Sequence, residues 1–170
     1  MTVREAIEDL LADYAEAIDD GALERWPGFF TEDGEYQIIT RESHDAGLPI
    51  GILYCDSRGM MEDRIQALRT ANIYEPHAYR HLLGRPRIEQ HSDGFAVRSN
   101  FCVYRIAQDG DTVTFATGRY FDRVVEDGAA LHFRSRRVVL DSRRVDILLD
   151  RKSTRLNSSH QHRSRMPSSA

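Results

Sequence analysis

The chain has 170 residues, 41% hydrophobic and 29% charged, with 27 acidic against 23 basic side chains and a formal net charge of −4. That length fits one domain with a single substantial core, and an acidic balance without a basic stripe argues against a nucleic-acid-binding role. No apolar run reaches 18 residues, and MTVREAIEDL has no basic segment leading into an apolar one, so a soluble, cytoplasmic protein is expected. The two cysteines, Cys55 and Cys102, sit far apart in strand-like sequence and suit reduced, packed thiols.

Thr2-Val3-Arg4-Glu5 is a capping-box pattern, and Ile7, Leu10, Leu11, Tyr14, Ala15 and Ile18 follow at helical intervals up to Asp19-Asp20-Gly21. A first helix is predicted there. A short second helix is predicted over 22–26, ended by Pro27-Gly28, then a turn at Thr31-Glu32-Asp33-Gly34 and a strand over 35–40. Residues 41–49 read as a loop and 50–55 as a short extended segment, with Asp56 or Ser57 as the N-cap of the next helix.

Residues 60–84, MMEDRIQALRTANIYEPHAYRHLLG, organise the rest. Met61, Ile65 and Leu68 form one helical stripe; Pro76 ends that pattern, and a strand over 77–83 follows, closed by Gly84 and Arg85-Pro86. Arg64, Arg69, Tyr74, His77, Tyr79, Arg80 and His81 crowd into this stretch. His77 and His81 would share a metal only on a helix, and Pro76 immediately before them argues against one.

Beyond Gly84 the period becomes two. Strands are predicted over 88–90, 95–107, 112–125, 129–140 and 144–149, with turns at Ser92-Asp93-Gly94, Asp109-Gly110 and Glu126-Asp127-Gly128. The expected architecture is α+β, an antiparallel meander forming one curved sheet wrapped over N-terminal helices. Its core face is read as Phe95, Val97, Phe101 and Val103, then Val113, Phe115 and Phe121, then Leu131, Phe133 and Val139. The other face carries Arg98, Asn100, Cys102, Tyr104, Thr114, Gly118, Tyr120, His132, Arg134 and Arg136, a composition like a wet interface.

The last 21 residues stand apart. DRKSTRLNSSH, residues 150–160, resembles a translated short-read sequencing adapter, and RSRMPSSA, residues 163–170, resembles the adapter sequence after the index. A disordered, non-native tail is expected there, with the native C-terminus missing. The tail holds five basic residues and one acidic, so the 1–149 domain keeps 18 basic and 26 acidic, a formal charge of −8.

YAEAIDDGALERWPGFFTEDGEY, then GILYCDSRGMMEDRIQALRTANIYEPHAYRHLLG, then the meander, resembles the small (β) subunit of aromatic-ring-hydroxylating dioxygenases, the Rieske non-haem iron oxygenases. Asp63-Arg64, Leu68-Arg69 and Arg80-His81 fall at that family's charged helix and strand positions, and the wording is most similar to the branch acting on terephthalate, anthranilate, benzoate or salicylate. The resemblance implies a cystatin-like, ketosteroid-isomerase-like cone. It also implies assembly with an α subunit, commonly as three α and three β chains, served by a separate reductase. The Rieske cluster, mononuclear iron and substrate pocket would then belong to the α subunit.

The residues agree with that division. Rieske ligation needs C-x-H and C-x-x-H pairs, whereas Cys55 precedes Asp56-Ser57 and Cys102 precedes Val103-Tyr104. His44, His77, His81, His91 and His132 read as structural or inter-subunit donors, not as members of a two-His-one-carboxylate site. No catalytic, cofactor or metal residue is therefore expected in this chain. Arg64, Arg69, Arg80, His81, Arg98, Arg134 and Arg136 are the candidate subunit contacts, and Arg119 belongs to the same excess of arginine. The alternative is a stand-alone cone-fold dehydratase or isomerase with an Asp–His acid/base pair, for which Tyr14, Tyr36, His81 and Asp63 would have to converge.

Overall fold

Helix α1 (Val3–Asp19) starts where the Thr2 hydroxyl accepts the Glu5 N–H at 3.2 Å while the Glu5 carboxylate accepts the Thr2 N–H at 2.6 Å. Its stripe of Ile7, Leu10, Leu11, Tyr14, Ala15 and Ala17 is buried. The computed structural model describes residues 1–71 and 77–142. The strand predicted over 144–149, the tail, Tyr74 and Pro76 lie outside the described residues.

Seven strands follow α1: β1 (Phe30–Thr40), β2 (Leu53–Cys55), β3 (Ala78–Leu83), β4 (Arg87–His91), β5 (Gly94–Ile106), β6 (Thr112–Asp127) and β7 (Ala130–Leu140). They form one curved, unclosed sheet in the order β2-β1-β7-β6-β5-β3, with β4 also on β5. The β5–β6–β7 meander is antiparallel as expected, but β1 joins β7 in parallel. Helix α3 (Arg58–Thr70), capped by the Ser57 hydroxyl on the Met60 N–H, buries Met61 and Ile65 in the same core as α1.

Three local predictions need correction. The short helix expected over 22–26 is two 3-10 turns, Leu23–Arg25 and Pro27–Phe29, because Pro27 starts the second turn as well as ending the first. The turn expected at Thr31-Glu32-Asp33-Gly34 is part of β1, absorbed as a register shift between Phe30 and Glu35 against β7. The loop expected over 41–49 begins with α2 (Arg41–Asp45), capped by the Thr40 hydroxyl on the Ser43 N–H at 3.2 Å.

The face assignment holds on β5, where Phe95, Val97, Phe101 and Val103 are buried. On β6 it inverts. Gly118, Tyr120, Asp122 and Val124 are buried while Phe121 faces outward, because β5 and β6 shift register between Val103 and Tyr104. On β7 a second shift, between Arg123 and Val124 of β6, leaves Arg134 without a partner residue and turns Arg136 into the core. Gly118 has no room for a side chain: a Cβ there would lie 2.1 Å from the Val139 carbonyl oxygen and 2.9 Å from the Phe101 ring.

Candidate functional site

The core holds a polar layer where α1 crosses the inner face of the sheet. Nε of Arg136 lies 3.2 Å from Oδ1 of Asp122, their side chains 1% and 0% exposed. The guanidinium carbon sits 3.6 Å from the Tyr120 ring centroid, 4.2 Å from Tyr14 and 4.6 Å from Phe133, so three aromatic rings surround a cation whose ion-pair partner among the described residues is Asp122. The Trp26 indole donates to the Tyr14 hydroxyl at 2.9 Å, and the Tyr36 ring packs edge-on against Trp26 at 5.0 Å.

Burial sets the ionisation of this layer. It pushes the Asp122 carboxyl up to about 7 against the pull of Arg136, and it raises the hydroxyls of Tyr14, Tyr36 and Tyr120 above their ordinary value. Burial also works against the Arg136 charge, but Asp122 and the surrounding tyrosines outweigh it and hold the guanidinium protonated. The layer can hold a charge pair in place. Reaching it requires displacing aromatic core.

A second buried pair ties helix to sheet. Oδ1 of Asp19, the last residue of α1, is 2.6 Å from Nδ1 of His81, and its Oδ2 accepts the His81 backbone N–H at 2.9 Å. Both side chains are under a tenth exposed. His81 is therefore engaged inside the subunit. Asp63 is exposed on α3, so the quartet Tyr14, Tyr36, His81 and Asp63 does not gather at one point.

The candidate contact residues separate by depth. Arg136 is interior, which corrects its assignment to the outer face. Arg69 clasps Glu24 at 2.7 and 3.0 Å and the Gly21 carbonyl at 3.2 Å, binding α3 to the turn after α1. Arg64 is half-buried on α3, and Arg80 is exposed on β3. Arg98 lies 3.8 Å from Glu89 and Arg134 3.5 Å from Asp33, all four side chains well exposed. Arg119 donates to Asn100 at 2.9 Å.

On the outer face a groove of about 520 Å³ crosses the strands, lined among others by Glu35, Gln37, His44, Tyr54, Arg98, Phe121, Arg123 and Arg137. The register aligns one row across six strands: Arg87, Arg98, Phe121, Arg137, Gln37 and Tyr54. The His44 ring of α2 lies against Phe121, tilted by 34°, with ring centroids 4.8 Å apart.

Sequence reasoning passed over Asp19, Asp122 and Trp26. Asp122 had a signal, an acid between Phe121 and Arg123 on a strand, but its face depended on the β5–β6 shift. The residues present do not fit an iron–sulfur cluster. Cys55 is buried on β2 and Cys102 lies on β5, four strands away, roughly 19 Å at the usual strand spacing. Among the described residues no three His, Cys, Asp or Glu side chains gather as a metal group, and no helix is long and apolar enough to cross a membrane.

Residues 14–147 match the family model described as "Ring hydroxylating beta subunit". The chain is 45% identical over 139 residues to a terephthalate 1,2-dioxygenase terminal oxygenase component β subunit of Comamonas sp, covering 81% of this chain and 90% of that one. It is 40% identical over 137 residues to the anthranilate 1,2-dioxygenase small subunit of Burkholderia cepacia, covering 80% and 85%. A crystal structure described as the β subunit of an aromatic-ring-hydroxylating dioxygenase from Novosphingobium aromaticivorans superposes with a TM-score of 0.79 at 39% identity, covering 86% of this chain and 94% of that one. A cystatin-like, NTF2-like protein from the same organism shares the fold at 22% identity and a TM-score of 0.61.

Proposed function

The chain belongs to the β subunits of aromatic-ring-hydroxylating dioxygenases, and on that premise we propose that it stabilises the assembly of an oxygenase acting on an aromatic carboxylate. The similarity to terephthalate and anthranilate oxygenase subunits over four-fifths of the chain carries this reading. In it the α subunit holds the Rieske cluster and the mononuclear iron, three α and three β chains assemble in the cytoplasm, and a separate reductase supplies electrons.

The cone interior supports a supporting role for this chain. There Arg136 is ion-paired with Asp122 and Trp26 donates to Tyr14, walled by Tyr14, Trp26, Phe30 and Phe133. Residues 1–149 form the working domain in this reading and 150–170 stand outside it, so truncation after Leu149 leaves the unfolding midpoint unchanged. Co-expression with the cognate α subunit tests the whole: core variants of this chain lower the amount of oxygenase recovered, while turnover per iron on an aromatic acid stays constant. A collapse of turnover per iron in a fully assembled complex would place chemistry in this chain.

A further inference from the structure

We infer that the Asp127–Gly128 step, at the tip of the β6–β7 hairpin, is a site of spontaneous modification where the main chain converts to an isoaspartyl linkage. The inference stands independently of the subunit reading above.

The chain contains five Asp-Gly steps, beginning at Asp20, Asp33, Asp93, Asp109 and Asp127. A glycine after aspartate leaves its amide nitrogen unshielded, because it has no Cβ. The conversion needs two groups free at once, the aspartyl carboxyl as electrophile and the following N–H as nucleophile. At four of the five steps the fold holds at least one of them. Gly21 donates its N–H to the Ile18 carbonyl at 3.1 Å. The Asp33 carboxylate accepts the Thr31 hydroxyl at 2.9 Å, and Gly34 packs against Phe30 and the Thr31 carbonyl. Asp93 is held by Arg123 at 2.7 Å. At Asp109 both groups are taken: its carboxylate accepts the Asp111 N–H at 3.0 Å, and Gly110 donates to the Ala107 carbonyl at 3.0 Å.

Asp127 differs. Neither its carboxyl nor the Gly128 N–H makes a hydrogen bond or ion pair among the described residues, and residues 126–130 are exposed. Asp127 forms the last pair of the ladder, with Ala130, so Gly128 and Ala129 make a two-residue turn. Gly128 has a φ of +70°, and nothing lies within 4 Å of the place a Cβ would occupy. Bringing the Gly128 nitrogen onto Cγ of Asp127 requires a backbone rotation at Asp127, which opens only this end pair, and the end of a ladder opens more readily than its middle.

The atoms balance without oxidant or reductant. The Gly128 nitrogen bonds to Cγ of Asp127, its proton and the carboxyl hydroxyl leave as water, and a five-membered imide forms. Water then opens the imide. Cleavage between the nitrogen and Cγ restores aspartate, whereas cleavage between the nitrogen and the Asp127 main-chain carbonyl carbon leaves Gly128 attached through the side chain. The product has the original mass, one extra methylene in the main chain and a new carboxylate, so the Asp127–Ala130 pair cannot re-form in register.

The test incubates the purified full chain in warm, mildly acidic buffer made with oxygen-18 water and then cleaves it after arginine. Peptide 124–134, VVEDGAALHFR, is expected to gain a second chromatographic form, heavier by one oxygen-18 substitution and methylated by an enzyme specific for isoaspartyl carboxyls. In the folded protein this form should appear at least tenfold faster than its counterpart in peptide 106–119, which holds Asp109; in urea the two rates should converge, since the fold alone separates them. D127E, whose ring would need six members, should lack the second form. D127N, which loses ammonia in place of water, should convert tenfold or more faster at the same residue. The proposal is overturned if the folded protein leaves 124–134 unchanged while the urea-unfolded chain converts, or if 106–119 converts as fast as 124–134 in the folded protein. A second form in D127E overturns it as well, and so does the absence of conversion in both states.

Discussion

Asp19 holds His81 at two points, through the ring nitrogen at 2.6 Å and the backbone N–H at 2.9 Å, so one carboxylate fixes the end of α1 to strand β3. Among the described residues β3 pairs only with β5, at the edge of the sheet. Replacing Asp19 with Ala leaves a buried ring nitrogen and a strand N–H without their acceptor, a loss of about 1–3 kcal/mol. Urea denaturation should show a lower midpoint with the slope unchanged, and amide exchange at His81 should accelerate. A midpoint equal to wild type would mean that the clamp contributes nothing net.

The Arg136–Asp122 pair should behave as one unit. R136A strands a carboxyl in the core, and D122A strands a guanidinium ringed by aromatics; each is expected to cost about 3–5 kcal/mol. The double variant R136M/D122L replaces both with apolar bulk and should lose clearly less than the sum of the two. Chemical denaturation of wild type, R136A, D122A and R136A/D122A closes the cycle, and additive losses there would show that the two groups are not coupled.

The same carboxyl makes stability depend on pH. Its value is about 7 in the folded chain against an ordinary 3.8, so the folded state holds the proton more tightly than the unfolded state. A group raised in this way contributes stability that is fully present below about pH 4 and lost as pH rises through 7. Relative to D122N, the wild type should lose stability between pH 4 and 7 and run parallel above. Parallel curves across the whole range would put the ionisation elsewhere.

Gly118 is the point where β6 admits the Phe101 ring and the Val139 carbonyl together. G118A forces a methyl group against backbone that cannot rotate away, and should cost at least about 1–3 kcal/mol. A crystal structure of the variant would show β6 and β7 displaced around this residue. Wild-type stability would mean that the two strands part easily.

The periodic elements were legible in the sequence because each obeys one rule over its whole length. Thr2 and Glu5 announce α1, Ser57 and the Met61–Ile65 spacing announce α3, and β5 alternates without interruption along its buried positions. What failed failed at irregularities. A bulge adds one residue and reverses every face beyond it, and nothing in the composition of 112–140 says where the extra residue falls. Arg136 therefore read as surface, although Phe133 three positions earlier was correctly read as core. Asp19 read as part of a helix stop because its partner is 62 residues away. The outer groove shared this blindness: Phe121 had been assigned to the core, and the row through Arg98 and Arg137 exists only once the β6 and β7 shifts are known.

The parallel pairing of β1 with β7 also sets the order in which the chain can be completed during synthesis. β1 spans residues 30–40 and its central partner spans 130–140, so most of the sheet's sequence must be made before the middle of the sheet can close. Until then β1 has only the three residues of β2 to pair with, and Ile38 and Ile39, buried in the finished protein, wait uncovered. Folding of this kind is late and slow, dominated by contacts far apart in the chain. The nascent subunit would thus emerge with the inner face of β1 in need of protection, and its yield in the cell would depend on chaperone supply before it ever met a partner.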